Sequence, residues 1–121
     1  MKKMLLLVMV VAGLFGAEYK CVSTQKQENG VMLSWKFKDK LLVIEDKYKV
    51  KIAITDGTEN ATGTCYNTGE KLKVGKNNYK KFKNSDVTVY VSEDEIKNGI
   101  YLITIKTPGT MEGFACTKSN I

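Results

Sequence analysis

The chain has 121 residues and a formal charge of +6, and it contains neither arginine nor histidine. Without histidine, no Ser/His/Asp or Cys/His catalytic arrangement can be built, and the commonest metal ligand is missing. Without arginine, sequence-specific recognition of nucleic acid loses its usual bidentate donor. The sequence also has no phosphate-binding glycine loop, paired CxxC motif or calcium loop. These exclusions favour a protein that is not an enzyme, needs no cofactor and does not bind nucleic acid.

The N-terminal residues predict a secretory signal peptide. Two lysines at 2–3 precede an apolar run over 5–15, and small residues follow at 16–17. The run is shorter than the ~20 residues that a membrane-spanning helix needs. We therefore expect residues 1–17 to be removed, which leaves 104 residues, 18–121, with a charge of +4 and no transmembrane segment. Such a domain would be periplasmic or secreted; a retained anchor or a buried helix is the alternative.

The remainder of the chain predicts strands. Apolar and polar residues alternate with period two over 31–38, 47–54 and 87–91, as in strands with one buried face. The runs 41–44 and 100–105 are more continuously apolar, which indicates strands covered on both sides. Eight or nine strands without a long helix predict an all-β fold. We expect a single antiparallel β-barrel or sandwich of about eight strands.

Short turns separate these strands. Four dipeptides mark them: Asn29-Gly30, Asp56-Gly57, Asn98-Gly99 and Pro108-Gly109. Asn, Asp and Gly tolerate the positive φ that tight hairpins require. Ser92 lies three residues before Glu95, a capping-box spacing that predicts one helical turn before the last strands.

The three cysteines bear on both compartment and partners. Cys21 and Cys116 lie in strand-like segments near the two ends, and the first and last strands of a closed β-structure are often neighbours. We favour a Cys21–Cys116 disulfide, which an oxidising compartment would preserve, although spacing alone does not fix connectivity. Cys65 would then be free, either as a small buried hydrophobe or as a reactive thiol that forms an intermolecular disulfide.

Residues 70–84 form a basic stretch in which two aromatic residues, Tyr79 and Phe82, are interleaved with lysines. The six lysines of this basic patch are Lys71, Lys73, Lys76, Lys80, Lys81 and Lys83. On a hairpin, several of their ammonium groups would share one face and attract polyanions or anionic surfaces. The simpler interpretation is a solvated face that blocks edge-to-edge pairing of strands.

One short segment resembles a known family. Residues 60–66, NATGTCY, are similar to the Ser-Ala-Ser-Gly-Ala-Arg-Tyr segment of the C-type lysozyme inhibitor family. The residues Ala61, Gly63 and Tyr66 match, and Thr62 stands for a serine. In the downstream stretch FKNSDVTVYV, the lysine at position 83 would fall on the lysine of that family.

The resemblance implies an eight-stranded antiparallel barrel, exported to the periplasm, with a terminal disulfide. It also implies an inhibitory loop containing Thr62, Gly63, Tyr66 and Lys83. The family's serine and lysine enter the lysozyme cleft and meet its catalytic carboxylates, so Thr62 and Lys83 would take these roles. This chain departs from the pattern in having Cys65 in place of the arginine, and asparagine in place of the glycine after the lysine.

The leading expectation is a small exported, non-catalytic binding protein of the cell envelope. Its ligand would be a protein, an envelope polymer or a small apolar molecule, since eight-stranded barrels hold one small ligand or are filled by their own side chains. Trp35 would pack in the core or stack on that ligand. The alternatives are a lysozyme inhibitor acting through Thr62 and Lys83, and an interaction protein that dimerises through Cys65 or an edge strand.

Overall fold

The computed structural model describes residues 16–33, 39–55 and 60–120. They form nine strands: β1 (Ala17–Glu28), β2 (Val31–Leu33), β3 (Lys40–Glu45), β4 (Lys49–Thr55), β5 (Asn60–Val74), β6 (Asn77–Lys83), β7 (Thr88–Ser92), β8 (Tyr101–Thr107) and β9 (Thr110–Asn120). The predicted signal peptide up to residue 15, the residue Trp35 and the Asp56-Gly57 turn lie outside the described residues. The predicted cleavage after Ala17 falls within β1, of which Ala17 is the first residue.

The sheet closes on itself because its first strand also pairs with its last. Residues 17–22 of β1 pair with β3, and the opposite edge of β1 pairs with β9 along residues 17–28. The intervening strands follow in chain order, each antiparallel to the next. Eight strands therefore form a closed barrel, and β2 is an extra strand on the far end of β1. The all-β prediction is confirmed. Of the two architectures expected, a barrel or a sandwich, the structure has the barrel.

Period-two alternation determines which residues fill the barrel. In β3, Leu41 and Val43 are buried whereas Ile44 is 38% exposed. The expectation that this strand is covered on both sides is therefore wrong, because a closed barrel has one interior and β3 turns its other apolar face outward. The largest fully buried side chains are Tyr19, Phe82, Phe114, Ile103, Val43, Val50, Val89 and Val91.

A buried polar network seals one end of the barrel. The hydroxyl of the fully buried Tyr19 donates to Oε1 of Glu45 at 2.9 Å, and Nζ of Lys80 donates to the other oxygen of Glu45. Burial, reinforced by the Glu45 carboxylate, raises the pKa of Tyr19, which therefore remains a hydrogen-bond donor. Tyr101 packs edge-on against Tyr19 with 5.8 Å between ring centroids. This end is closed by polar groups that satisfy one another.

Where the structure describes them, the turns follow their local sequence except after Ser92. Asn29 and Gly30 have φ values of 51° and 82°, as a two-residue hairpin between β1 and β2 requires. The helical turn predicted from Ser92 is wrong: the described residues contain no helix. Oγ of Ser92 accepts a hydrogen bond from the backbone N–H of Leu102 at 3.0 Å instead of capping the segment that follows it. Ser92 therefore bonds a residue of the neighbouring strand β8 and not the backbone of the residues that follow it.

The predicted disulfide joins Cys21 to Cys116 and is confirmed. The two cysteines are direct partners in the β1–β9 register, and both are buried. The bond therefore crosses the seam at which the barrel closes and links positions separated by 95 residues. The chain-entropy model assigns roughly 4–5 kcal/mol to a crosslink of this length.

Replacing both Cys21 and Cys116 by alanine is expected to lower the free energy of unfolding by about 2–5 kcal/mol, because the unfolded chain regains conformational freedom. Urea unfolding followed by circular dichroism measures this loss. The matched control is Cys65→Ala, which removes a buried thiol, keeps the seam and should cost about 1 kcal/mol. A double variant as stable as this control would show that the disulfide does not hold the barrel closed.

Candidate functional site

The end of the barrel opposite Tyr19 is open. A cavity of about 530 Å³ lies there, which we call the barrel mouth. Its apolar wall is formed by Ile52, Ile54, Val87 and Ile105. Its charged lining residues are Lys26, Glu28, Asp39, Asp86 and Glu112. An apolar wall with a few polar groups, at this volume, is typical of small-ligand sites.

Gly63 helps to keep the mouth open. It is the β5 partner of Ile52 on β4, which is buried, so position 63 also faces the interior. A Cβ at this glycine would meet Cγ1 of Ile52 at 3.9 Å, an ordinary contact, and the backbone φ is not in the left-handed region. Backbone conformation therefore does not require glycine here. The missing side chain leaves space in the mouth.

An irregularity in β1 turns a lysine into the mouth. The register between β1 and β9 shifts between Ser23 and Gln25. A bulge of this kind reverses the alternation of the residues after it. Lys26 and Glu28 consequently line the mouth, where strict alternation from the first half of β1 would point them outward. Lys26 then lies directly opposite Glu112 of β9.

The Glu112 carboxyl is buried without a complete set of partners. Its side chain belongs to a residue that is only 6% exposed, and Oε2 has no hydrogen-bond partner among the described residues. Lys26 does not bond it, and Nζ of Lys26 pairs instead with Oδ2 of Asp39 at 3.6 Å. Burial raises the pKa of Glu112 to about 7, and the Asp39 carboxyl adds to this effect. Buried polar atoms are nearly always paired, so this oxygen and the Ser23 hydroxyl, which is also buried without a partner, are exceptions that need a reason.

The charge of the mouth opposes the charge of the chain. The chain carries +6, whereas the lining of the mouth includes four carboxyl groups and a single lysine. The carboxyl groups belong to Glu28, Asp39, Asp86 and Glu112. Low-dielectric walls around such a group of charges focus the local field. The mouth is therefore an acidic concavity on a basic protein.

Cys65 lies inside the barrel on β5. It is free and has no exposed surface, and its Sγ lies 3.7 Å from the carbonyl oxygen of Val87. Burial raises the pKa of this thiol, which disfavours the thiolate. An intermolecular disulfide needs an accessible thiolate, and Cys65 offers neither access nor the ionised form.

The residues predicted as an inhibitory loop lie on strands. Tyr66 and Lys83 are direct partners in the β5–β6 register, and both are exposed. Thr62 is also exposed and lies further along β5, opposite Ala53. Gly63 faces the interior and belongs to the mouth. The structure thus brings Tyr66 and Lys83 together on the outer surface and sets Thr62 apart along the same strand.

The lysines of the basic patch are divided between the two faces of the β5–β6 hairpin. Lys71 and Lys80 are partners on one face, and Lys81 and Lys83 lie on the other. Three of the six form ion pairs: Lys71 with Glu93 at 2.8 Å, Lys81 with Glu70 at 3.1 Å, and Lys80 with Glu45. The patch is therefore less concentrated than its sequence suggests, as expected for a solvated hairpin.

Sequence reasoning missed Glu112 and Lys26 as site residues. A signal for Glu112 was present, because counting back in steps of two from Cys116 places a carboxyl at an inward position. Lys26 had no such signal, since its orientation depends on the bulge. Charged residues at inward strand positions are the feature to look for in such a sequence.

Within the described ranges, no group of three His, Cys, Asp or Glu side chains is placed to hold a metal ion, and no helix is long and apolar enough to cross a membrane. No protein-family model, curated protein or solved structure matches this chain.

Glu112→Gln is expected to change how stability depends on pH. The folded state keeps the Glu112 proton up to about pH 7, whereas an unperturbed glutamate releases it near 4.5. Its contribution to stability is therefore fully present below pH 4.5 and is lost as the pH rises towards 7. The variant cannot ionise, so at pH 8 it should exceed the original chain by about 1–3 kcal/mol in the free energy of unfolding.

Urea unfolding of both proteins between pH 4 and pH 8 measures this difference. The exposed Glu95→Gln provides the control, because it removes the same charge away from the mouth. Parallel curves for the original chain and Glu112→Gln would contradict the assignment of a raised pKa to this carboxyl.

Proposed function

We propose that this chain is a small exported binding protein without catalytic activity, and that the barrel mouth holds a small ligand with an apolar body. One observation carries the proposal: an interior glycine that backbone conformation does not require lines the same cavity as a buried carboxyl with one unpartnered oxygen. Gly63 leaves the space, and Glu112 supplies a polar group that a ligand would complete.

The size of the mouth supports a ligand-binding role. Small barrels are filled by side chains or enclose one small ligand, and this barrel is filled at one end and open at the other. Around Tyr19 the interior is packed, whereas the opposite end retains about 530 Å³. Small-molecule pockets typically have volumes of about 300–1,000 Å³.

Export is supported by two features of the chain. The N-terminal residues 1–17 have the layout of a signal peptide, and the Cys21–Cys116 disulfide fits an oxidising location. A periplasmic or secreted protein of this kind would carry or sense a small molecule of the cell envelope.

Expression of the full chain in a bacterial host is expected to yield periplasmic protein whose intact mass is that of a chain beginning at Glu18.

Native mass spectrometry of the same sample should detect the added mass of a bound small molecule. Otherwise, the purified protein should bind the neutral probe N-phenyl-1-naphthylamine. Gly63→Leu should weaken probe binding at least about tenfold by filling the mouth, and Gly63→Ala should have little effect. Protein that binds no probe and carries no added mass would contradict the proposal.

A second candidate, inhibition of a C-type lysozyme, is favoured by the outer surface of β5 and β6. Thr62, Tyr66 and Lys83 are all exposed there, and Thr62 borders a second concavity of about 410 Å³ on β3–β5. A lysine ammonium can pair with a catalytic carboxylate, and a hydroxyl can hydrogen-bond to its neighbour. Long-range repulsion opposes this candidate, because lysozymes of this type are themselves usually basic.

If the second candidate holds, micromolar protein will inhibit a C-type lysozyme, and Lys83→Ala will raise the inhibition constant at least about tenfold through loss of a charge-assisted contact. Thr62→Ala should have a smaller effect in the same direction. Lys106→Ala on β8 removes an equal charge from another exposed strand and should leave inhibition unchanged. Absence of inhibition at micromolar protein removes this candidate.

A further inference from the structure

We infer that the barrel mouth selects a cationic ligand, namely a small molecule with an ammonium group on an apolar body, and that Glu112 binds the ammonium. The inference rests on the proposed binding function and adds the chemical class of the ligand. The ammonium would pair with the Glu112 carboxylate, which lines the mouth, and the apolar body would lie against Ile52, Ile54 and Ile105.

The unpaired oxygen of Glu112 indicates a hydrogen-bond donor. Oε2 has almost no contact with solvent in a residue that is 6% exposed, and no donor of the described residues lies within hydrogen-bonding distance of it. The Ser23 hydroxyl, which is likewise buried without a partner, interacts with the same carboxyl and lowers its pKa. Lys26, the lysine that lines the mouth, pairs with Asp39 at 3.6 Å. A donor that enters the mouth with a ligand would supply the missing hydrogen bond.

The surrounding charges decide which donor fits best. Besides Glu112, the carboxyl groups of Glu28, Asp39 and Asp86 line the mouth, and Lys26 is the lysine that opposes them there. This excess of acid attracts a cation, is indifferent to a neutral hydroxyl and repels an anion. The isoleucines of the wall give the ligand's apolar body a surface to bury. An alkylammonium combines the two properties.

Ionisation of Glu112 links affinity to pH. Besides Glu112 on β9, the charged groups of the mouth are Lys26 and Glu28 on β1, Asp39 just before β3, and Asp86 between β6 and β7. The lining residues of β4, β5 and β8 are uncharged. A bound cation stabilises the ionised form of Glu112, so binding should release a proton near neutral pH. Affinity for the ammonium should therefore increase from pH 5.5 to pH 8.

Three probes of equal chain length test the inference: hexylammonium, hexanol and hexanoate, each titrated into the purified protein and followed by NMR. Hexylammonium is expected to bind at least about tenfold more tightly than hexanol, and hexanoate more weakly than either. Glu112→Gln should abolish the preference for the ammonium and keep the affinity for hexanol. Glu95→Gln, with the same change of charge outside the mouth, should keep the preference, and Gly63→Leu should weaken binding of both probes.

The outcomes separate this inference from the proposed function. Equal affinity for hexylammonium and hexanol overturns the cationic class and leaves a binding mouth for neutral ligands. A preference for hexylammonium that survives Glu112→Gln overturns the role of Glu112, because the other carboxyl groups of the mouth would then account for it. Absence of binding by all three probes overturns the inference, and the naphthylamine probe then decides the proposed function separately. If Glu112→Gln does not fold, the pH series on the original chain takes its place. Affinity for hexylammonium that does not increase between pH 5.5 and pH 8 overturns the role of Glu112.

Discussion

The pairing of β1 with β9 is the interaction on which the rest of this structure depends. It joins the first strand to the last, so that inward positions of every barrel strand face a common interior. It brings Cys21 opposite Cys116, where the disulfide holds the seam. Its bulge also turns Lys26 towards Glu112. Core, crosslink and candidate site are all consequences of this one seam.

Each end of the barrel contains a buried carboxyl group, and the two groups differ in whether their oxygens have partners. At the sealed end, Glu45 accepts from Tyr19 and pairs with Lys80, so its oxygens are satisfied. In the mouth, Glu112 faces Lys26 in register, but that lysine is bound to Asp39 and one oxygen of Glu112 remains unpaired. The first arrangement closes the interior with the chain's own groups. The second leaves one oxygen of a residue that lines an open cavity without a partner, and this asymmetry is the basis of the proposed binding role.

The sequence predicts those features that depend on local pattern. Period-two alternation was sufficient for the all-β fold, and the Asn29-Gly30 dipeptide marked a hairpin that the structure contains. Reasoning about the first and last strands correctly favoured the terminal disulfide. Features set by contacts distant in sequence were missed: the inward turn of Lys26 depends on a bulge, and Ser92 bonds Leu102 rather than capping a helix. The inward position of Glu112 could be predicted from its spacing to Cys116, but its burial and raised pKa depend on closure of the barrel.

Native-state hydrogen exchange measured by NMR tests the central claim, closure through β1 and β9, most directly. The account predicts that paired amides of residues 17–23 and 113–119 exchange only through global unfolding, as slowly as the most protected amides of β7 and β8. Reduction of the disulfide should make the seam exchange faster than the rest of the barrel. Seam amides that exchange in the oxidised protein like those of an unpaired strand edge, while β7 and β8 stay protected, would contradict a closed barrel.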